Sequence, residues 1–221
     1  MSEVTVTVRG EHDVRVAPER ATIHVSVRAE GPERAAVVET AMRLTEPVRS
    51  SITERVDAGT IVEWSSKRLS VRAERPWNAE GRRLAPVYYA GIDLTATFTD
   101  ASELSMWVSD VSAWDGVEVG GVDWHLTPVT RTRLENEVAA AAVGVAVARA
   151  TAYARSLGLT DVTPREIADV GLLSSGHSDT AAPLMMKARG AAFAADSASA
   201  MEYEPEEIVV SATVEARFSA Q

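Results

Sequence analysis

The chain contains no cysteine, and this absence removes a block of chemistry. Without a thiol there is no disulfide, no thiolate nucleophile, no Cys-zinc site and no cysteine-based peroxide reduction. Positive charge is also short: 22 Lys and Arg stand against 32 Asp and Glu, a net charge of −10. Nucleic-acid affinity rests on cations set against phosphates. The densest basic cluster here, Arg82-Arg83 near Arg72 and Arg75, is interrupted by Glu74 and Glu80, so no nucleic-acid partner is expected. No run approaches the roughly 18 consecutive apolar residues of a spanning helix, which predicts no membrane insertion. Met1-Ser2-Glu3 leads straight into a strand pattern, with neither the basic nor the apolar region of a signal peptide. The expected location is cytoplasmic, or exported if a leader has been trimmed. The chain also lacks a G-x-S-x-G elbow and the phosphate-cradling glycine motifs.

What is present is periodicity. Apolar residues alternate at Val4, Val6 and Val8, and again at Ile23, Val25, Val27 and Ala29, predicting strands over 4–9 and 21–29. Val37, Ala41, Leu44, Val48, Ile52 and Val56 share one face of a helix that Pro32 opens and Gly59 stops, with a kink or break expected at Pro47. Residues 61–73 and 87–98 read as strands joined by the polar connection 75–86. Asp100 with Glu103 matches a capping box before the stripe Leu104, Trp107, Val108 and Val111, and Gly116 closes that helix. In 117–126 the apolar set changes parity across Gly120-Gly121, as a β-bulge would require.

A second capping box, Thr132 with Glu135, predicts a long alanine-rich helix over 133–157 with its stripe at Leu134, Val138, Ala141, Val145, Ala148 and Ala152. Strands are expected within 162–173 and from Ile208 to Phe218, separated by a Ser/Ala/Gly/Asp-rich loop at about 175–203 that is expected to be mobile. The resulting order, ββαββαβαββ, is an α+β fold: antiparallel sheet with three main helices. It is read as a single unit over 1–221, with room for two intertwined subdomains.

Chemistry-bearing clusters are thin. Asp123 and His125 share a strand face, while His12-Asp13 and His177 with Asp179 are loop pairs. None supplies the three or four ligands of a zinc site, so neither metal nor cofactor is expected. Ser174, Ser175 and Ser178 flank His177 without an orienting acid, and no catalytic residue is assigned. Glu202, Glu204, Glu206 and Glu207 read as a solvated acidic run, and Leu184–Arg189 as a short segment docking on its own fold. Among five tryptophans, Trp107, Trp114 and Trp124 are expected in the core and Trp64 is ambiguous. Trp77 falls in the polar 75–86 connection beside Arg75, Arg82 and Arg83. Trp and Arg dominate interface hot spots, which makes these four the candidate partner contact.

The opening Arg9-Gly10, then Ala17-Pro18-Glu19-Arg20-Ala21 before a second strand, resembles the SIMPL-domain family. So do Tyr89-Ala90, Trp114-Asp115-Gly116, the spaced Ala142, Ala146, Ala150 and Ala154 ending at Leu157-Gly158-Leu159, and Pro205-Glu206-Glu207-Ile208. A second glycine is common after that family's first strand, where this chain has His12. The resemblance implies bacterial relatives, among them periplasmic immunogenic proteins that form ring-like assemblies and proteins linked to oxidative-stress resistance, and an animal adaptor that binds a signalling kinase. It implies no catalytic residues.

The expected function is a non-catalytic, self-associating binding or scaffold protein, a homo-oligomer open to a protein partner. The alternative is a ligand binder or enzyme of stress defence with a pocket between helices and sheet. Self-association is further expected from open strand edges at both termini and at 87–98.

Overall fold

The two terminal strand patterns pair with each other. In the computed structural model, which describes residues 3–173 and 203–221, the order is β1 (Val4–Val16), β2 (Arg20–Gly31), α1 (Arg34–Asp57), β3 (Ile61–Ser66), β4 (Ser70–Glu74), β5 (Val87–Phe98), α2 (Ala101–Val111), β6 (Val117–His125), α3 (Pro128–Ser156), β7 (Val162–Asp169) and β8 (Ile208–Ala220). All strand pairs are antiparallel, and the class is α+β as the periodicity predicts. The expected mobile loop, the serines around His177 and the Leu184–Arg189 segment lie outside the described residues. The chain divides into two compact units. One holds the residues up to Val16, those from Thr127 through β7, and β8; the other spans Ala17–Leu126 with the residues just before Glu207.

In the first unit the sheet order is β1-β8-β7 and α3 covers one face. β1 and β8 pair without interruption from Val4↔Ala220 to Val16↔Ile208. Val6 and Val8 of β1, with Val214, Ala216, Phe218 and Ala220 of β8, pack against Ala142, Ala146, Ala150 and Ala154 of α3. Alanines four apart form a ridge inclined about 26° to the helix axis, and so small a ridge lets the helix approach the sheet backbone. Gly10 marks the closest approach. A Cβ there would collide with the Ala142 carbonyl and stand 2.7 Å from the Ala146 nitrogen.

In the second unit the order is β3-β5-β2-β6, with β4 also pairing β5. Odd positions of β2 (Ala21, Ile23, Val25, Val27) and even positions of β5 (Ile92, Leu94, Ala96, Phe98) form the helix-side face. Val48 and Ile52 of α1 and Leu104, Trp107, Val108 and Val111 of α2 close over it. Trp107 is fully buried, stacks tilted on Phe98 at 5.4 Å and donates its Nε1–H to Ser51 Oγ at 2.8 Å. The bulge expected at Gly120-Gly121 is present: Ile23 pairs Val122 and Val25 pairs Val119, so one residue of β2 faces two of β6. Trp114 and Trp124 join the core as expected. Trp64 joins it too, because the register shift between Ile61 and Glu63 turns it to the helix side.

Several expectations require correction. The 61–73 strand is two strands: between Ser66↔Leu94 and Ser70↔Gly91 one side carries one residue more than the other, which breaks the ladder. Pro47 does not end α1; Pro47 and Arg43 both lie on its exposed side, where water can satisfy the carbonyl that loses its donor. α3 starts at Pro128, five residues before the expected 133, with Thr127 as its cap accepting from Thr130 N at 3.3 Å; Thr132 falls inside the helix. Beyond Val138 the buried stripe of α3 follows the four-residue alanine spacing, not Ala141, Val145, Ala148 and Ala152. β1 also runs through Gly10 to Val16, so His12 and Asp13 are strand residues. Finally, β5 and β8 are interior strands. Of the three segments expected to offer open edges, only β1 lies at the margin of its sheet.

Candidate functional site

The 75–86 connection is an ordered tip on the β4–β5 pair. Trp77 and Arg83 form an antiparallel bridge across it. The Asn78 side-chain oxygen accepts from Glu80 N at 3.1 Å and Arg82 N at 2.8 Å, a local turn of the kind Asn favours. Asn78 N donates to the Arg82 carbonyl at 2.9 Å and Leu84 N to the Pro76 carbonyl at 2.9 Å. The Arg83 guanidinium stands 5.0 Å from the Trp77 ring centroid, within cation–π range. The ring is nevertheless 62% exposed. The structure thus brings Trp77, Arg82 and Arg83 onto one braced tip, with Arg75 at its base next to the end of β4.

The face of the same sheet turned away from the helices is polar. Even positions of β2 supply Thr22, His24, Ser26 and Arg28, and odd positions of β5 supply Asp93, Thr95 and Thr97. Thr22 Oγ1 lies 2.9 Å from Thr97 Oγ1 and 2.9 Å from His125 Nε2. His24 Nε2 meets Asp123 Oδ2 at 2.8 Å. Ser26 Oγ donates to Asp93 Oδ1 at 2.8 Å. Arg28 lies across three strands, reaching Asp93 at 3.4 Å on β5 and Glu118 at 3.4 Å on β6. Gly91 makes that crossing possible, since a Cβ there would come within 2.7 Å of the Arg28 guanidinium.

At the Arg28 end this face opens into a shallow groove of about 510 Å³, lined by Arg28, Glu30, Ser70, Arg72, Tyr89 and Glu118. Arg72 donates to Glu74 at 3.0 Å and lies 4.9 Å from the Tyr89 ring centroid. The groove sits on the opposite face of the sheet from α1 and α2. Among the described residues Trp107, Phe98, Ile23 and Leu94 pack the helix side of this sheet.

Asp123 and His125 share a face as their spacing predicts, but they take different partners: Asp123 binds His24, while His125 binds Thr22. His12 stands exposed on β1. Among the described residues no three His, Asp or Glu side chains gather in a metal-binding arrangement. Glu204, Glu206 and Glu207 are exposed ahead of β8. Tyr203 packs edge-on against Trp124 at 6.1 Å, and this burial raises its hydroxyl above the ordinary tyrosine range. Thr22, Ser26 and Arg28, with His24, form a polar row that no motif in the sequence marks. Their signal was available, because they are the polar half of the same alternation that places Ile23, Val25 and Val27 in the core.

Among curated proteins no match is found. The family model described as SIMPL, a protein of unknown function (DUF541), matches residues 6–218, nearly the whole length, and the chain belongs to that family.

Proposed function

We propose that the chain is a non-catalytic, self-associating binding or scaffold protein that uses the Trp77 tip as an anchor. The observation that carries this reading is the exposed Trp77 ring, 62% accessible on a tip braced by Asn78 and stacked by Arg83. Large aromatic rings presented in a fixed conformation contribute most of the affinity in many protein interfaces, because little side-chain entropy is lost on binding. A place in stress response rests on the family resemblance. Light scattering after size exclusion tests the reading. A mass above the 23.7 kDa protomer is expected at micromolar concentration, with Trp77→Ala shifting the distribution toward smaller species at unchanged folding. A strictly monomeric mass at every concentration removes the scaffold reading.

A second reading is a small-ligand site in the groove of Arg28, Arg72 and Tyr89, favoured by two guanidinium groups and an aromatic ring lining one groove. Native mass spectrometry of the purified protein distinguishes the two, since it reports assembly mass and any retained ligand together.

A further inference from the structure

The ridge of α3 that meets its sheet is Ala142, Ala146, Ala150 and Ala154, and the opposite side of the helix carries a second pattern. Glu137 and Arg155 each lie nine residues, about two and a half turns, from the fully buried Ala146, so both fall on the side of the helix opposite that midpoint residue. Between them on that face stand Ala141, Gly144, Ala148 and Thr151. The spacing from Glu137 is 4-3-4-3-4, the rhythm of a coiled-coil seam. Glu137, Gly144, Ala148 and Arg155 are exposed, Ala141 and Thr151 half-buried, and a Cβ on Gly144 would meet nothing within 4 Å. Val147 flanks the face at 43% exposure, and the most apolar 18-residue stretch of α3 is only 28% buried. Small side chains thus line the middle of a helix face left in water.

Charge indicates what covers it. The face carries Glu137, paired with Arg133, at one end and Arg155 at the other, and its positions mirror one another about position 146. Laid antiparallel on a second copy of itself, it sets Glu137 against Arg155, Ala141 against Thr151 and Gly144 against Ala148, and the twofold axis repeats each pair. Arg155 forms no ion pair among the described residues, while Glu137 is met by Arg133 at 2.8 Å, four residues before it on the exposed surface. The Thr151 hydroxyl donates to the Val147 carbonyl at 2.8 Å, so it needs no partner across the seam. Residues this small allow helix axes to approach to about 8 Å.

We infer that α3 is an isologous seam, pairing antiparallel with the α3 of a second copy of this chain through Glu137, Ala141, Gly144, Ala148, Thr151 and Arg155. This rests on the self-association reading and adds a second contact surface to the Trp77 tip. A lipid bilayer is the competing occupant, since α3 is long and apolar enough to cross one by length and composition. The mirrored end charges Glu137 and Arg155, which a bilayer core would leave without partners, favour the second copy.

The test is a charge swap read by light scattering and sedimentation. Glu137→Arg places Arg against Arg across both ends of the seam, and Arg155→Glu places Glu against Glu. Each alone is expected to raise the dissociation constant about tenfold, as like charges set opposite one another do. Mixing the two variants restores association, because each end then joins Arg to Glu. Gly144→Leu, which blocks the close approach, abolishes the species without charge change. Circular dichroism confirms that each variant keeps its helix. An assembly indifferent to all of these variants overturns the seam and leaves the scaffold reading standing. A monomeric wild type overturns both. A monomer that cosediments with phosphatidylglycerol vesicles overturns both in favour of the bilayer.

Discussion

The two units solve one problem, covering a face of antiparallel sheet with helix, by opposite means. The unit built on β2 and β5 fills a wide gap with large side chains: Trp107, Phe98, Ile23, Ile52, Leu94 and Leu104 are all essentially inaccessible. The unit built on β1 and β8 closes the gap instead, with an alanine ridge set against Gly10. The first arrangement gains from apolar area per side chain. The second gains from close backbone approach and leaves no room for larger groups. The vulnerable substitution is therefore large-to-small in one unit and small-to-large in the other.

The largest effect is expected from Trp107→Ala, at a cost of about 3–5 kcal/mol through lost burial and the cavity left behind. Its loss also removes the hydrogen bond to Ser51. The mirror experiment is Ala146→Leu, expected to cost about 1–3 kcal/mol by overpacking. Chemical denaturation of both variants measures the two values, and an Ala146→Leu protein as stable as wild type would show that α3 can lift away from Gly10.

The helix starts sharpen the comparison at smaller scale. Asp100 caps α2 with two acceptances, from Ser102 N at 2.8 Å and Glu103 N at 3.1 Å. Asp100→Ala is expected to cost about 1 kcal/mol. Thr127→Ala at the start of α3 is expected to cost less, since the Thr127 hydroxyl accepts from Thr130 N at a longer 3.3 Å. Thr132→Ala, inside the helix, is expected to stay within about 0.5 kcal/mol of wild type in the same denaturation series.

The smallest effect concerns the outward sheet faces. The unit of β1 and β8 carries ion pairs there: Arg9 with Glu215 at 3.1 Å, Arg217 with Glu166 at 2.8 Å and Arg165 with Glu3 at 2.9 Å. The hydrogen bond from Ser219 Oγ, and then the Arg165 charge, hold the Glu3 carboxyl below the ordinary carboxylate range. A depressed folded-state value means that the contribution of Glu3 is present at neutral pH. It is lost as pH falls through that lowered value. Carbon-13 NMR titration should place the Glu3 midpoint below that of an unstructured glutamate, and Ser219→Ala should raise it. The other unit's outward face carries the separate Thr22–His125 and His24–Asp123 pairs beside the Arg28 ion pairs to Asp93 and Glu118.

Elements whose local pattern and burial agree were legible in the sequence. The 87–98 strand appears with those bounds as β5, and Asp100 caps α2 where the capping box indicated. The parity change at Gly120-Gly121 announced the bulge opposite β2. Legibility failed where a partner made the choice. Nothing within 61–73 shows that its two halves pair different stretches of β5. The Thr132 and Glu135 capping box is well formed, but Thr127 and Pro128 start the helix a turn earlier and absorb Thr132 into it. The Trp77 tip was legible as a turn-rich connection bearing Trp and Arg; the bridge and ring stacking that brace it were not.

By itself the sequence determined the family, the α+β class, the cysteine-free chemistry and the alternation that divides each strand into an apolar and a polar half. These follow from composition and from the two- and 3.6-residue periods, which are local properties of the chain. Only the tertiary structure decided that the terminal strand β8 lies inside its sheet and not at its edge, and that α3 buries the ridge Ala142, Ala146, Ala150 and Ala154. Only it decided that Arg28 spans three strands over Gly91. Each depends on which strand or helix arrives alongside. In an alanine-rich helix every face is about equally apolar, so the close approach of Gly10 selects the side that is buried.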